Sequence, residues 1–191
     1  MVNLTRIYTR AGDRGSTKLS DLSSVSKTDP RVDAYGIVDE ANCVLGLVVT
    51  EPGIPDDVST VLAQIQNELF DLGADLSFPF EAAEAEPLRI TPVYVSRIET
   101  WCDAFRAELP QLRSFVLPGG TRANALLHLA RAVVRRAERA AWQADEITPI
   151  NPEAMAYLNR LSDLLFVLAR YVAKDDGEVL WVPGDQRDPE A

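Results

Sequence analysis

Histidine occurs once in this 191-residue sequence, and cysteine and methionine twice each. A single histidine excludes the helical bundles that hold two iron ions with paired Glu-x-x-His motifs, since each ion needs its own imidazole. Two cysteines cannot build a disulfide framework; Cys43 and Cys102 both lie in helix-like stretches, where buried thiols are expected. No apolar run reaches the ~18 residues of a membrane-spanning helix, and no signal-peptide core is present. The first basic cluster begins within ten residues of Met1, leaving no room for a transit peptide in the sequence as written. A cytoplasmic location without membrane contact is therefore expected. Positive charge is also scarce: 19 Lys and Arg face 29 Asp and Glu, for a net charge of −10. A surface of that sign repels a phosphate backbone, so no nucleic-acid partner is expected, and any anionic ligand must be met by a local basic cluster. Neither G-x-x-x-x-G-K-[ST] nor G-x-G-x-x-G occurs, so the two common nucleotide loops are missing.

Such a local cluster is present. "YTRAGDRGSTKLS", residues 8 to 20, packs three basic residues, two glycines and four serine or threonine hydroxyls into thirteen positions. Its composition suits an anion, although its spacing matches no common loop. Most of the remaining chain reads as helix. Asp29-Pro30 is an N-cap with proline in the first turn, and Val32, Tyr35, Val38, Ala41, Leu45 and Val48 follow at three- and four-residue steps until Pro52-Gly53. A second helix starts near Pro55 and closes at Phe78-Pro79. A third runs from Thr91-Pro92 to Pro110, a fourth from Thr121 to about Trp142, and a fifth from Asn151-Pro152 through Val172. "EAAEAEPLRI" has no apolar period and reads as exposed loop; only "RIYT" and "EVLWV" look extended. The chain is one domain of the all-α class, a five-helix up-and-down bundle with both ends packed outside it. Residues 1–28 form an N-terminal loop, 29–175 the bundle and 176–191 a tail whose end, "DQRDPEA", is expected to be mobile.

The fourth helix carries an unusual face. On a helical wheel, Leu126, Ala130, Val133, Val134, Ala137, Ala140 and Ala141 share one side. Arg131, Arg135, Glu138 and Arg139 share the other, with His128 beside them and Arg136 at the edge. Arg131, Arg135 and Arg139 are four apart, and like charges at that spacing repel by a few tenths of a kcal/mol (~0.2–0.5). Two readings stay open: a solvated face balanced by Glu138, or a row facing a polyphosphate or a partner's carboxylates through arginine's rigid fork. Asp39 and Glu40 of the first helix are candidate carboxylates, and Asn159 and Asp163 share a face of the fifth.

Four segments together bear on that choice: "TRAGDRGSTKLS", "SKTDPRVDAYGIVDEAN", "FVLPGGTRANALLHLARAVVRRAER" and "YLNRLSDLLFVLAR". In this order they resemble the signature blocks of the ATP:cob(I)alamin adenosyltransferases of the propanediol-utilisation type, from residue 6 to about residue 183. Ala11 departs from the usual T-[RK]-T-G-D loop, and no role is carried over to it.

The resemblance implies a homotrimer with active sites between subunits, and transfer of the 5′-deoxyadenosyl group from ATP to the cobalt of cob(I)alamin. Magnesium would accompany ATP, with cobalamin as substrate. The N-terminal loop would order itself around the triphosphate, using Thr9, Arg10, Gly12, Asp13, Gly15, Thr17, Lys18 and Lys27. Arg131 would pair with the neighbouring subunit's counterpart of Asp39, and Arg135 would bind the polyphosphate where charge builds up. Glu138 would help hold Mg²⁺, and Asn159 would help seat ATP. Arg136 and Arg139 carry no firm assignment. Phe115 would lie beneath the corrin ring and displace its lower ligand, leaving His128 as a hydrogen-bonding residue on the helix face rather than a cobalt ligand. A reductase and an adenosylcobalamin-dependent mutase are the implied protein partners. The alternative is a non-enzymatic carrier that binds cobalamin and ATP and hands the cofactor to another enzyme.

Overall fold

The computed structural model describes residues 8, 10–80 and 87–187, so Thr9, most of "RIYT" and residues 81–86 of the expected loop lie outside the described residues. Five helices form the body: α1 Pro30–Val49, α2 Asp56–Leu76, α3 Pro92–Ala107, α4 Arg122–Asp145 and α5 Pro152–Tyr171. The capping chemistry read from the sequence is in place. Side chains of Asp29, Thr121 and Asn151 accept hydrogen bonds from the amides of Arg31, Asn124 and Glu153, filling donors that a helix start otherwise leaves open.

The packing order is not the chain order. α1 lies against both α2 and α4, α5 against both α4 and α3, so the sequence runs α2-α1-α4-α5-α3 across the bundle. In a plain up-and-down arrangement α3 would pack chiefly on α2; instead its main packing is on α5, while Tyr94 and Arg97 of α3 reach Asp71 and Glu68 of α2. Small residues let α4 sit between α1 and α5. Ala130, Ala137, Ala140, Ala141 and Ala144 form the buried face of α4, letting backbones on both sides approach closely. Leu158, Leu161, Leu165 and Leu168 of α5 then fill the centre with Leu45, Leu62, Leu69 and Leu72.

The purely all-α expectation also needs correcting. Within the N-terminal segment, β1 (Ser16–Lys18) and β2 (Ser24–Ser26) pair antiparallel, with Thr17 opposite Val25. The strands are three residues long, too short for any alternation to show in the sequence. The hairpin is held to the end of α2 by the buried Leu19 and by the Ser20 amide donating to the Ser77 carbonyl at 3.2 Å. Cys43 is exposed, against the expectation of a buried thiol, while Cys102 is half-buried and burial raises its pKa.

Two buried charges close one end of the bundle, and neither announced itself in the sequence. Arg31 donates to the carbonyls of Leu76, Thr148 and Pro149, joining the start of α1 to the end of α2 and to the α4–α5 connection. Asp75, 1% exposed, accepts from Arg89 at 2.6 Å, the Ile90 amide at 2.7 Å and Asn151 at 2.6 Å. Removing the Asp75 carboxylate strands an arginine, an amide and an asparagine together. Asp75→Ala is expected to lower the unfolding free energy in urea by about 3 kcal/mol. Glu51→Ala, which breaks only a pair with the exposed Arg122, should cost less than about 1 kcal/mol in the same measurement.

Candidate active site

Arg10 has a positive φ of 60° and Gly15 one of 82°, a turn geometry in which glycine carries no steric penalty. The turn folds back so that the Gly15 carbonyl accepts from the Lys27 amide at 2.9 Å. Gly12 sits directly beneath the Lys27 side chain: a Cβ placed on it would lie 3.1 Å from Lys27 Cε and 3.2 Å from Nζ. Loop glycine and pre-helix lysine, far apart in the sequence blocks, are thus one local unit. Arg10, Asp13 and Lys18 are exposed around it, and Thr17 is half-buried.

Two open cavities flank α1. The first, 440 Å³, has Lys18 from β1, Tyr35 and Asp39 from α1, and Phe70 from α2 on its walls. Burial raises the pKa of Tyr35, and the nearby Asp29 adds to it, while a hydrogen bond with the Thr17 side chain opposes them. The second, 600 Å³, lies on the other side of α1 and brings Lys27 together with Arg136 and Arg139 of α4, facing Glu40 and Asp33. Arg136 forms an ion pair with Glu40. Successive residues on a helix point about 100° apart, which is why Asp39 and Glu40 look into different grooves. The structure therefore gives Arg136 and Arg139 surroundings that the sequence could not: a shared groove with the loop lysine.

On the opposite flank of α4, Asn159 of α5 donates to Glu138 at 2.9 Å, so these two predicted residues do meet. Arg135 is exposed between the two flanks, and its carbonyl accepts from the Arg139 guanidinium at 3.1 Å. Arg131 is half-buried; burial lowers its pKa, and the neighbouring Arg135 lowers it further. Within the chain Arg131 and Asp39 do not pair among the described residues, since one lies on α4 and the other opens into the α1–α2 groove.

His128 corrects the sequence reading. It sits on the wheel beside the arginines as expected, yet it is only 3% exposed and both ring nitrogens lack a partner among the described residues. Phe166 of α5 packs edge-on against it, with ring centroids 5.9 Å apart. Burial, and then Arg131, lower its pKa, so the ring is held neutral rather than serving as a hydrogen-bonding surface group.

Phe115 stands apart from the cationic region. It is 74% exposed, on the segment before α4, at the edge of a 640 Å³ open cavity lined also by Leu112, Arg113, Trp181 and Pro183. Trp181 meets it edge-on, with ring centroids 6.0 Å apart. The Trp181 partnership was missed in the sequence; the apolar run "EVLWV" after the last helix was the available signal. Backbone bonds hold the two segments together, Trp181 amide to Phe115 carbonyl and Leu117 amide to Val179 carbonyl, each 2.8 Å. Among the described residues, no three His, Cys, Asp or Glu side chains gather as a metal cage, and no helix is long and apolar enough to cross a membrane.

This combination has clear relatives. The family model described as cobalamin adenosyltransferase matches residues 7–172. A corrinoid adenosyltransferase of Mycobacterium tuberculosis is 57% identical over 190 residues, covering 97% of each chain. Another, from Bacillus subtilis, is 40% identical over 176 residues, covering 90% of this chain and 89% of that one. Among solved structures, a phenylalanine-to-alanine variant of a PduO-type ATP:corrinoid adenosyltransferase from Lactobacillus reuteri, complexed with cobalamin and ATP, aligns with a TM-score of 0.86 at 34% identity. That alignment covers 92% of this chain and 99% of the other. With matches of this extent in both sequence and fold, the chain belongs to the cobalamin adenosyltransferase family.

Proposed function

We propose that this protein transfers the 5′-deoxyadenosyl group of ATP to the cobalt of cob(I)alamin, giving adenosylcobalamin and triphosphate. One observation carries the reading at the level of this chain's own residues. Its cationic groups, Lys27 with Arg136 and Arg139 and the adjacent Arg135, are separated from an exposed aromatic, Phe115, that borders an open, partly apolar cavity. A nucleotide's phosphates need the first surface, and a broad corrin ring needs the second.

Cob(I)alamin is itself the nucleophile, so no general base is required. Its electron pair forms the cobalt–carbon bond as the C5′–O bond breaks and the oxygen's electrons leave with triphosphate. The protein's contribution is to align C5′ with cobalt and to stabilise charge on the departing phosphates. Lys18, Lys27 and the amides of the turn bearing Gly12 and Gly15 suit the phosphate tail, with Arg10, Asp13 and Thr17 around them. Thr9, which lies outside the described residues, belongs to the same proposed strap. Arg135, exposed and free to extend its fork, binds the phosphates where charge grows, and Asn159, bonded to Glu138, helps seat the nucleotide. A single carboxylate at Glu138 fits Mg²⁺ in the manner usual for nucleotide sites, in which phosphates and waters supply the remaining oxygens. Bound there, Mg²⁺ would neutralise part of the triphosphate charge. Phe115 occupies the lower face of the corrin and excludes its axial ligand, which eases reduction of cob(II)alamin.

The active unit is proposed to be a trimer. Arg131 is half-buried with an Nε that has no partner among the described residues, and Asp39 opens into a groove on the far side of α1 beside Phe70, which is 71% exposed. Among the described residues the two do not meet, and the equivalent residue of a second copy would supply each with a partner. A one-electron reductase upstream and an adenosylcobalamin-dependent mutase downstream complete the proposed setting, in the cytoplasm.

Incubation with MgATP and chemically reduced cobalamin should yield adenosylcobalamin with intact triphosphate. ADP and phosphate in its place would reject the reaction, and binding of both substrates without product would make the protein a carrier. Arg135→Ala should lower kcat by about 100-fold or more. Its urea midpoint should correspond to a change within about 0.5 kcal/mol, as at other surface positions. Native mass spectrometry should show three copies, and a monomer at working concentration would remove the Arg131–Asp39 pairing.

A further inference from the structure

Phe115 presents an exposed ring on a backbone that the surrounding structure holds unusually firmly. The segment is flanked by Pro110 and Gly119, and both flanks are tied to the last turn of α5. Downstream, the Gly119 amide donates to Asn124 Oδ1 at 3.0 Å, and Asn124 Nδ2 donates to the Ala169 carbonyl at 2.8 Å. Upstream, the next residue of α5 takes over. Arg170 Nη2 donates to the Pro110 carbonyl at 3.0 Å.

The same guanidinium reaches the other segment that touches Phe115. Arg170 Nε donates to Glu178 Oε1 at 2.6 Å and Nη2 to Glu178 Oε2 at 3.2 Å, a two-point pairing with a carboxylate. Glu178 begins the extended run whose Val179 and Trp181 bond the backbone at Leu117 and Phe115. The Ser114 hydroxyl adds a bond to the Trp181 carbonyl at 2.9 Å. Arg170 is 6% exposed, so this pair is shielded from water and its geometry is fixed by packing.

We propose that the Arg170–Glu178 pair is a positioning device for Phe115: by binding Pro110 and Glu178 through one guanidinium, it sets how far the ring projects toward the lower face of the corrin. Neither residue touches substrate. The pair acts through Phe115, so the proposal rests on the ligand-displacing role given to Phe115 above. A ring displaced by ~1 Å can cost as much as 100-fold at a step that depends on contact geometry. The reaction that starts from cob(II)alamin needs the axial ligand excluded before an electron arrives. The reaction that starts from prereduced cob(I)alamin does not.

The test measures initial rates from both cobalt states, with MgATP in each. A reduced flavin supplies one electron per cobalt in the cob(II)alamin arm, and the absorbance of bound cob(II)alamin reports whether the lower ligand is displaced. Glu178 lies outside the helices, so Glu178→Ala leaves the bundle to fold, which circular dichroism checks. It should slow the cob(II)alamin reaction by about 10- to 100-fold, with a much smaller change from cob(I)alamin. Glu178→Asp, which keeps the charge, and Arg170→Lys should recover part of the difference. Equal losses from both states in Glu178→Ala, or no loss in either, would overturn the positioning role. Phe115→Ala in parallel separates this from the reading beneath it. If Phe115→Ala shows the selective loss and Glu178→Ala does not, only the positioning device fails. If Phe115→Ala shows no selectivity, the ligand-displacing role fails.

Discussion

A buried carboxylate with no escape to water sets the geometry of this bundle. Asp75 accepts hydrogen bonds from Arg89, from the Ile90 amide and from Asn151, binding the end of α2 to the segment before α3 and to the start of α5. A charge at 1% exposure persists only if every one of these donors stays in place. Arg31 does the complementary task at the same end, with three carbonyls from the end of α2 and the α4–α5 connection. Together they fix where α1 and α5 begin along the bundle axis.

Everything functional is measured from those starting points. α4 lies between α1 and α5, so its two seams are defined by theirs: Arg136 meets Glu40 across one, and Glu138 meets Asn159 across the other. The exposed arginine row runs between the seams. A slip of one residue turns a helix face by about 100° and would carry Glu138 away from Asn159. The alanine-rich face of α4 allows both neighbours to approach closely, and it also leaves little space for such a slip.

The two ends of the chain complete the arrangement in opposite ways. The N-terminal turn is polar and lies on the surface, with Lys27 folded over Gly12 and the side chains of Arg10, Arg14 and Lys18 exposed. Near the other end, the apolar run of residues 179–182 is tied down by backbone bonds to the strip carrying Phe115. In the proposed reaction a surface loop rich in polar groups suits a nucleotide that must enter and leave as triphosphate. In the proposed reaction a firmly held aromatic suits a step that depends on how closely one ring approaches the corrin's lower face.

Much of this was legible in the residues alone. Caps at Asp29, Thr121 and Asn151, with proline in the first turn of α1, α3 and α5, fixed the helix starts, because capping is chemistry between near neighbours. The apolar period named most of the core, and four signature blocks named the family. Residues that act across long separations were not legible. Asp75 and Arg31 look like ordinary surface charges in a helical pattern, and only the packing of distant segments buries them. His128 falls on the charged side of the wheel and is nonetheless enclosed, because Phe166 covers a face that periodicity marks as open. Asp39 and Glu40 are adjacent letters that face separate grooves only once α1 lies between α2 and α4. Sequence determined which segments are helical and where cationic and hydroxyl groups cluster, since both follow from local covalent and hydrogen-bonding chemistry. Tertiary structure alone decided which charges are buried, which cations share a groove and how Phe115 is held, since these depend on residues brought together by packing across the whole chain.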